Sequence, residues 1–217
     1  MDTLFDQSES SRGLIARLKI IETAERLYAL HGIDAISIRE INKASGQRNG
    51  SAVQYHFGNR EGLLEAIFAL RTRSRNNERF LLLHQLKESA DPKDYGLEKI
   101  VDIMIRPMFN GLEIGHTSYH RRFFKQVHVR HETMKRLLAN GHDMGLRECF
   151  RLIRDCRPDV AARVMAQRYV HANAVAIDAA AQLEELLDVA DPPLSGADID
   201  FHIQCCLDSV TAIFKAP

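Results

Sequence analysis

Apolar residues recur at three- and four-residue intervals along most of this 217-residue chain, and no stretch alternates long enough to read as a strand. The first such pattern begins at Ser11. Leu14, Leu18, Ile21, Ala24 and the Leu27/Tyr28 pair share one side, and Gly32 ends the run. Ser37 followed by Glu40 is a capping box, so the next helix starts at about Ile38. Ile38, Ile41 and Ala44 form its inward side, and Arg39, Asn42 and Lys43 face out. Gly46 supplies the positive φ that ends it. A polar turn, Gln47-Arg48-Asn49-Gly50, leads to a helix of barely two turns from about Ser51 to Phe57, anchored by Val53 and Phe57. Gly58-Asn59 breaks that helix, and Asn59 caps the one that follows.

The following helix runs from Arg60 to about Lys87, roughly 40 Å at the usual rise per residue. Its first half offers Leu63, Leu64, Ile67, Phe68 and Leu70 for burial. Its middle, RTRSRNNER, is polar, and its end, FLLLHQL, is apolar again, so it reads as a link with a solvated waist. After a loop at 90–93, helical patterns occupy about 94–112, where Pro107 kinks or ends the last turn, then about 117–128 and 131–155. Arg157-Pro158-Asp159 starts a helix reaching about Asp188, and a final helix spans about Ala197–Phe214. The prediction is an all-α chain of about nine helices. Residues 1–10 form a disordered arm, 11–70 a three-helix unit containing a helix-turn-helix, and 71–217 a second helical domain.

Composition changes this picture in one respect. The net charge is zero, which argues against a polyanionic partner, yet the charge is unevenly placed. Residues 10–60 hold eight Lys/Arg against four Asp/Glu, whereas residues 151–217 hold six against ten. A basic end facing phosphates and a neutral or acidic body give this pattern. No apolar run approaches the ~20 residues that span a membrane, and no secretory signal opens the chain. Cys149, Cys156, Cys205 and Cys206 lack zinc or redox spacing, so the expectation is a reduced, cytoplasmic protein.

Three stretches carry a resemblance: IIETAERLYALHG at 20–32, DAISIREINKASG at 34–46 and YHFGNREGLL at 55–64. Their order and spacing resemble the DNA-binding domain of the TetR family of transcriptional repressors. Asn42 and Ser45 stand where small alanines are usual, Tyr28 replaces a common Phe, and the QRNGSAVQ segment is one residue longer than the usual turn. Beyond about residue 70 the likeness is architectural. On such a scaffold the second short helix enters the major groove, and Arg48, Asn49, Ser51 and Gln54 become the candidate base readers. Arg39, Lys43 and Gln47 add backbone contacts. The resemblance implies phosphate contacts from Tyr55, His56 and Arg60, the last in place of a usual Lys. It also implies a homodimer on a pseudo-palindromic double-stranded operator. Pairing would run through the last two helices, about 158–188 and 197–214. There Ala172–Ala181 allows close approach, and Ile199, Ile203, Leu207, Val210 and Phe214 form an apolar face.

The same resemblance implies a repressor released from DNA by a small apolar or amphipathic ligand, with helix 60–87 transmitting the change. The middle of the chain is rich in Met, aromatic and His side chains, a mix that suits such a guest and also suits plain core packing. Met104, Met108, Phe109, His120, Phe123, Phe124, His128, Tyr169 and Asn173 are the candidate lining residues. His116/His120 and His128/His131 have helix-face spacing but no third ligand, and no phosphate loop or nucleophile motif accompanies them. No metal, cofactor or enzymatic activity is therefore expected. The alternatives are a regulator governed by a protein partner without a small-molecule effector, and a helical metal-binding protein or enzyme.

Overall fold

The computed structural model describes residues 11–47, 50–89, 91 and 94–217. The expected arm at 1–10 and the candidate readers Arg48 and Asn49 lie outside the described residues. Among the described residues the chain is all-helical. Three N-terminal helices, α1 (Ser11–His31), α2 (Ile38–Ala44) and α3 (Ala52–Phe57), precede the long α4 (Arg60–Ser89). Then come α5 (Leu97–Ile105) with a 3-10 turn at Arg106–Met108, α6 (His120–His128), α7 (His131–Ala139), α8 (Met144–Cys156), α9 (Ala162–Val189) and α10 (Gly196–Lys215). None of these is long and apolar enough to cross a membrane.

Among the described residues the count is ten α-helices rather than about nine, because Gly141, at φ 78°, divides the run expected as one helix over 131–155. Pro107 does end α5, whose last turn tightens to 3-10. Pro158, by contrast, is not in a first helical turn. Arg157 pairs with Asp159 and donates to the Phe214 carbonyl, which keeps the 157–161 segment a turn, and α9 starts at Ala162.

Two apolar clusters organise the molecule. One joins α1–α4 through Ile20, Tyr28, Ile41, Val53, Leu63 and Ile67, and it also takes in Phe123 and Val127 of α6 and Leu137 of α7. The other packs the end of α4 with α5, α8, α9 and α10. Ile203, Leu207, Val210 and Phe214, the stripe expected to face a partner subunit, lie inside this second cluster, and Ile199 packs against it. Ala172, Ala176, Ala180 and Ala181 are buried within the chain as well. An amphipathic helix needs one covered face, and here α5 and α9 cover it.

The polar middle of α4 is not a solvated waist. Thr72, Arg75 and Arg79 are buried, at the three- and four-residue spacing of a core face. Around them, α6 lies between the clusters, packed on α1 on one side and on α9 on the other. Its N-terminus is closed by Glu184 of α9, 1% exposed, whose carboxylate accepts from the Arg121 and Arg122 amides and from the Ser118 hydroxyl. These amides belong to a first helical turn, whose N–H groups have no partner within the helix, so α9 supplies the cap. The Arg121 and Arg122 guanidinium groups, 3.6 and 3.4 Å from Glu184, compensate its charge.

Candidate nucleic-acid interface and buried cavity

The helix-turn-helix is built on local signals. Ser37 and Glu40 close a complete capping box at the start of α2. Gly46 and Gly58 take φ of 69° and 75° at the ends of α2 and α3, where a side chain would be strained. The Asn59 side chain accepts from the Gly62 amide at 2.9 Å, capping α4 as expected.

The inward side of α2 departs from the apolar pattern. Ala44 is exposed, whereas Asn42 and Ser45 are 1% and 0% exposed. Asn42 Oδ1 accepts from the Val53 amide at 3.0 Å, and Nδ2 donates to the Gly50 carbonyl. One side chain of α2 therefore fastens the last residue of the turn and the first turn of α3. Ser45 donates back to the Ile41 carbonyl at 2.8 Å. Arg17, which sequence reasoning counted only as a charge, ties α1 to the end of α3. It donates to the His56 carbonyl at 2.9 Å and lies over the Phe57 ring at 4.7 Å.

This scaffold leaves Ser51, Gln54 and Tyr55 exposed on α3, Tyr55 at 82%, and Arg39 and Lys43 exposed on α2. His56 is half-buried, edge-on to Tyr55. Gln47 is half-buried at the end of α2, where its amide donates to the Asn42 carbonyl. Arg60 is turned partly inward. It donates to the Ile33 and Ile36 carbonyls at 2.9 and 2.7 Å, bracing the segment between α1 and α2.

A cavity of about 200 Å³ lies among α4, α6, α7, α8 and α9, its exposed lining surface mostly apolar although Arg75, Arg79 and Asp143 contribute to its wall. Of the nine side chains expected to line a pocket, Met108, Phe124, His128, Tyr169 and Asn173 do so. The other four do not. Met104 and Phe109 are buried in the C-terminal core, and Phe123 stacks on Tyr28 in the N-terminal one. His120 sits in the Glu184 network, where burial and the neighbouring Arg121 push its pKa down to about 2, so the ring is neutral. The wall residues missed by the sequence reading include Thr72, Arg75 and Arg79 of α4, which read as a solvated run. A second, open and polar groove of about 580 Å³ runs from Arg17 and His56 to the α7–α8 turn and shares Thr72, Asn76 and His142 with the cavity. Among the described residues, no three His, Cys, Asp or Glu side chains converge as a metal site would require.

A capped short helix, a glycine-ended turn and a second short helix with polar side chains outward define a helix-turn-helix protein on an all-helical body. Residues 20–67 match the bacterial regulatory proteins, tetR family. Over that segment, which holds the helix-turn-helix, the chain is similar to that family. It is 36% identical over 52 residues to the HTH-type transcriptional repressor AcnR of Corynebacterium glutamicum, a match covering 24% of this chain and 27% of that protein. The chain thus spans about a quarter of the length of the curated relative it matches. In overall fold it is similar to a TetR-family transcriptional regulator from Mesorhizobium loti, with a TM-score of 0.52 and 14% identity over 94% of this chain and 98% of that one. Salmonella enterica GusR aligns over 97% of this chain and all of its own at a TM-score of 0.48 and 16% identity.

Proposed function

We propose that this protein is a sequence-specific, cytoplasmic DNA-binding regulator, a homodimeric repressor released from its operator by a small ligand held in the C-terminal domain. The observation that carries the reading is α3. Its buried side is fixed by Val53 and by the Asn42 bonds, while Ser51, Gln54 and Tyr55 stand outward with Arg39 and Lys43 beside them on α2. Those groups suit base edges and phosphates respectively. Arg48 and Asn49, which precede α3 in the sequence, join the readers. Tyr55 and His56 grip phosphate, and Arg60 acts chiefly through the α1–α2 segment that it braces.

A single short helix reads too little DNA, and two copies double the contact. With the Ile203–Phe214 stripe inside the chain, pairing uses the outward sides of α9 and α10, where Phe201 is 71% exposed and Cys205 lies one turn on. The cavity supports the ligand reading, because Phe124 and His128 on its wall belong to α6, the helix that also packs on α1.

Enrichment of duplexes from a random library by the protein, followed by anisotropy titration, tests the reading. Gln54→Ala and Arg48→Ala should each weaken binding to the enriched duplex by ~1–3 kcal/mol while the fold is retained. A folded double variant that binds that duplex as the parent does would refute the assignment of α3 and its turn.

A further inference from the structure

The cavity wall holds a charge imbalance. Arg75 and Arg79 are 7% and 4% exposed, both line the cavity, and among the described residues neither makes an ion pair. Neighbouring cations are matched differently: Arg71 has Glu25, Arg121 and Arg122 have Glu184, and Arg147 has Asp143. Asp143, the one carboxylate on the wall, is thus neutralised by Arg147 Nε at 2.8 Å. Arg79 donates through Nε to the Met104 carbonyl. Arg75 donates through Nε to the Arg71 carbonyl and lays its guanidinium on the Phe124 ring at 4.4 Å, leaving Nη2 buried without a hydrogen-bond partner. Most of the remaining wall is apolar: Phe68, Met108, Met134, Leu146 and Ile177.

A buried cation without a counter-charge is costly, and natural chains retain one where it meets an anion in function. The guanidinium edge matches a carboxylate, and the ring beneath Arg75 fixes its plane. A cavity of ~150 Å³ takes a benzene-sized guest, so about 200 Å³ takes one ring or short chain bearing a small headgroup. We propose that the ligand is an amphipathic monocarboxylate, its headgroup on Arg75 Nη2 with Arg79 supplying further positive charge, and its apolar body among Phe68, Met108 and Ile177. This rests on the reading of the cavity as an effector site and adds the chemical class of the effector.

Calorimetric titration of the full chain with 3-phenylpropionate and octanoate, each against its neutral amide, tests the class. The acids should bind at least about ten-fold tighter than the amides, since charge-assisted hydrogen bonds exceed neutral ones. In Arg75→Met that preference should vanish, and in Arg75→Lys it should persist in part. Ligand-free Arg75→Met should also melt no lower than the parent, because an unpaired buried charge has been replaced by an apolar side chain of similar length. Equal affinity for acid and amide, binding of neither acid, or a markedly lower melting temperature for Arg75→Met would each overturn the proposal. The last result would make Arg75 a structural strut. DNA titration separates the two readings. Acid-selective binding that leaves operator affinity unchanged keeps the anion site and removes ligand-controlled release. Release by acid and amide alike keeps the control and removes the anion site.

Discussion

Replacing Asn42 with Ala should loosen the recognition unit more than any exposed change on α2 or α3. Asn42 is 1% exposed and makes two bonds, one accepting the buried Val53 amide at 3.0 Å and one donating to the Gly50 carbonyl. Each such bond is worth ~0.5–1.5 kcal/mol net, and leaving a buried amide without a partner costs ~1–3 kcal/mol. Alanine recovers up to ~0.7 kcal/mol through its higher helix propensity. The net loss is about 2 kcal/mol, which at ~2–4 °C per kcal/mol for a chain of this size lowers the melting temperature by roughly 4–8 °C. Asn42→Asp keeps the acceptor for Val53 but buries a carboxylate oxygen against the Gly50 carbonyl, so it should be at least as destabilising as Asn42→Ala at neutral pH. Thermal unfolding followed by circular dichroism measures both variants, and operator titration of the folded protein measures the consequence for α3. If Asn42→Ala stays within about 0.5 kcal/mol of the parent, as surface changes do, the side chain does not fix α3.

Three further outcomes follow from other contacts. A Cβ on Gly62 would sit 2.0 Å from the Phe57 carbonyl oxygen, which is backbone and cannot swing aside, so Gly62→Ala should destabilise by ~1–3 kcal/mol and weaken operator binding; a normal melting temperature would contradict this. The Tyr28 hydroxyl is buried without a partner, and burial pushes its pKa up to about 12, so Tyr28→Phe should raise stability by about 1 kcal/mol, and a clear loss would show that the hydroxyl is satisfied in solution. Glu148 accepts from Arg151 and from Lys87 of α4, which holds its pKa at about 2, below the ordinary 4.5. The unfolded state therefore binds the proton first on acidification, so the stabilisation is full above about pH 4.5 and is lost as pH falls towards 2. Glu148→Gln should be less stable than the parent at neutral pH, with the difference closing across that window. A difference that stays constant with pH would remove the ion pairs as its cause.

Caps and turns were legible in the sequence because they are short-range: Ser37 with Glu40, Gly46, and Gly58 with Asn59 each act within a few residues. The orientation of α2 was less so. Seven residues hold barely two turns, and a pattern that weighs only apolar character places Ala44 inside and Asn42 outside. The chain does the reverse, because Asn42 answers backbone groups eight and eleven residues away. The same bias hid part of the α4 side of the cavity wall. Thr72, Arg75 and Arg79 repeat at core spacing, but in polar letters, and so read as solvent-facing. The Met, aromatic and His content of the middle segment singled out Met108, Phe124 and His128, which line the cavity, yet could not separate Phe124 from Phe123, its neighbour in sequence, which packs on the other side of the same helix. An apolar stripe also looks alike whether its cover is the same chain or another, which is why the α10 face was assigned to a partner.

That divergence of Phe123 and Phe124 bears on how a ligand would reach the DNA-binding unit. The sequence suggests α4 as the transmitting rod, since it runs from one cluster to the other. The contacts favour α6 as well. Phe124 and His128 line the cavity, while Phe123 and Val127, on its other side, lie in the core shared by α1 to α4. Its N-terminus is fixed to α9 by Glu184, and just past its C-terminus Arg130 reaches Asp34 between α1 and α2 at 2.6 Å. A guest that pressed on Phe124 would therefore move α1 through one rigid two-turn element pivoting at Glu184, without bending a 30-residue helix. Coupling of ~1–3 kcal/mol is the usual scale, comparable to the loss of one or two contacts at the Phe123–Tyr28 junction, so a small shift of α6 against the N-terminal core is enough.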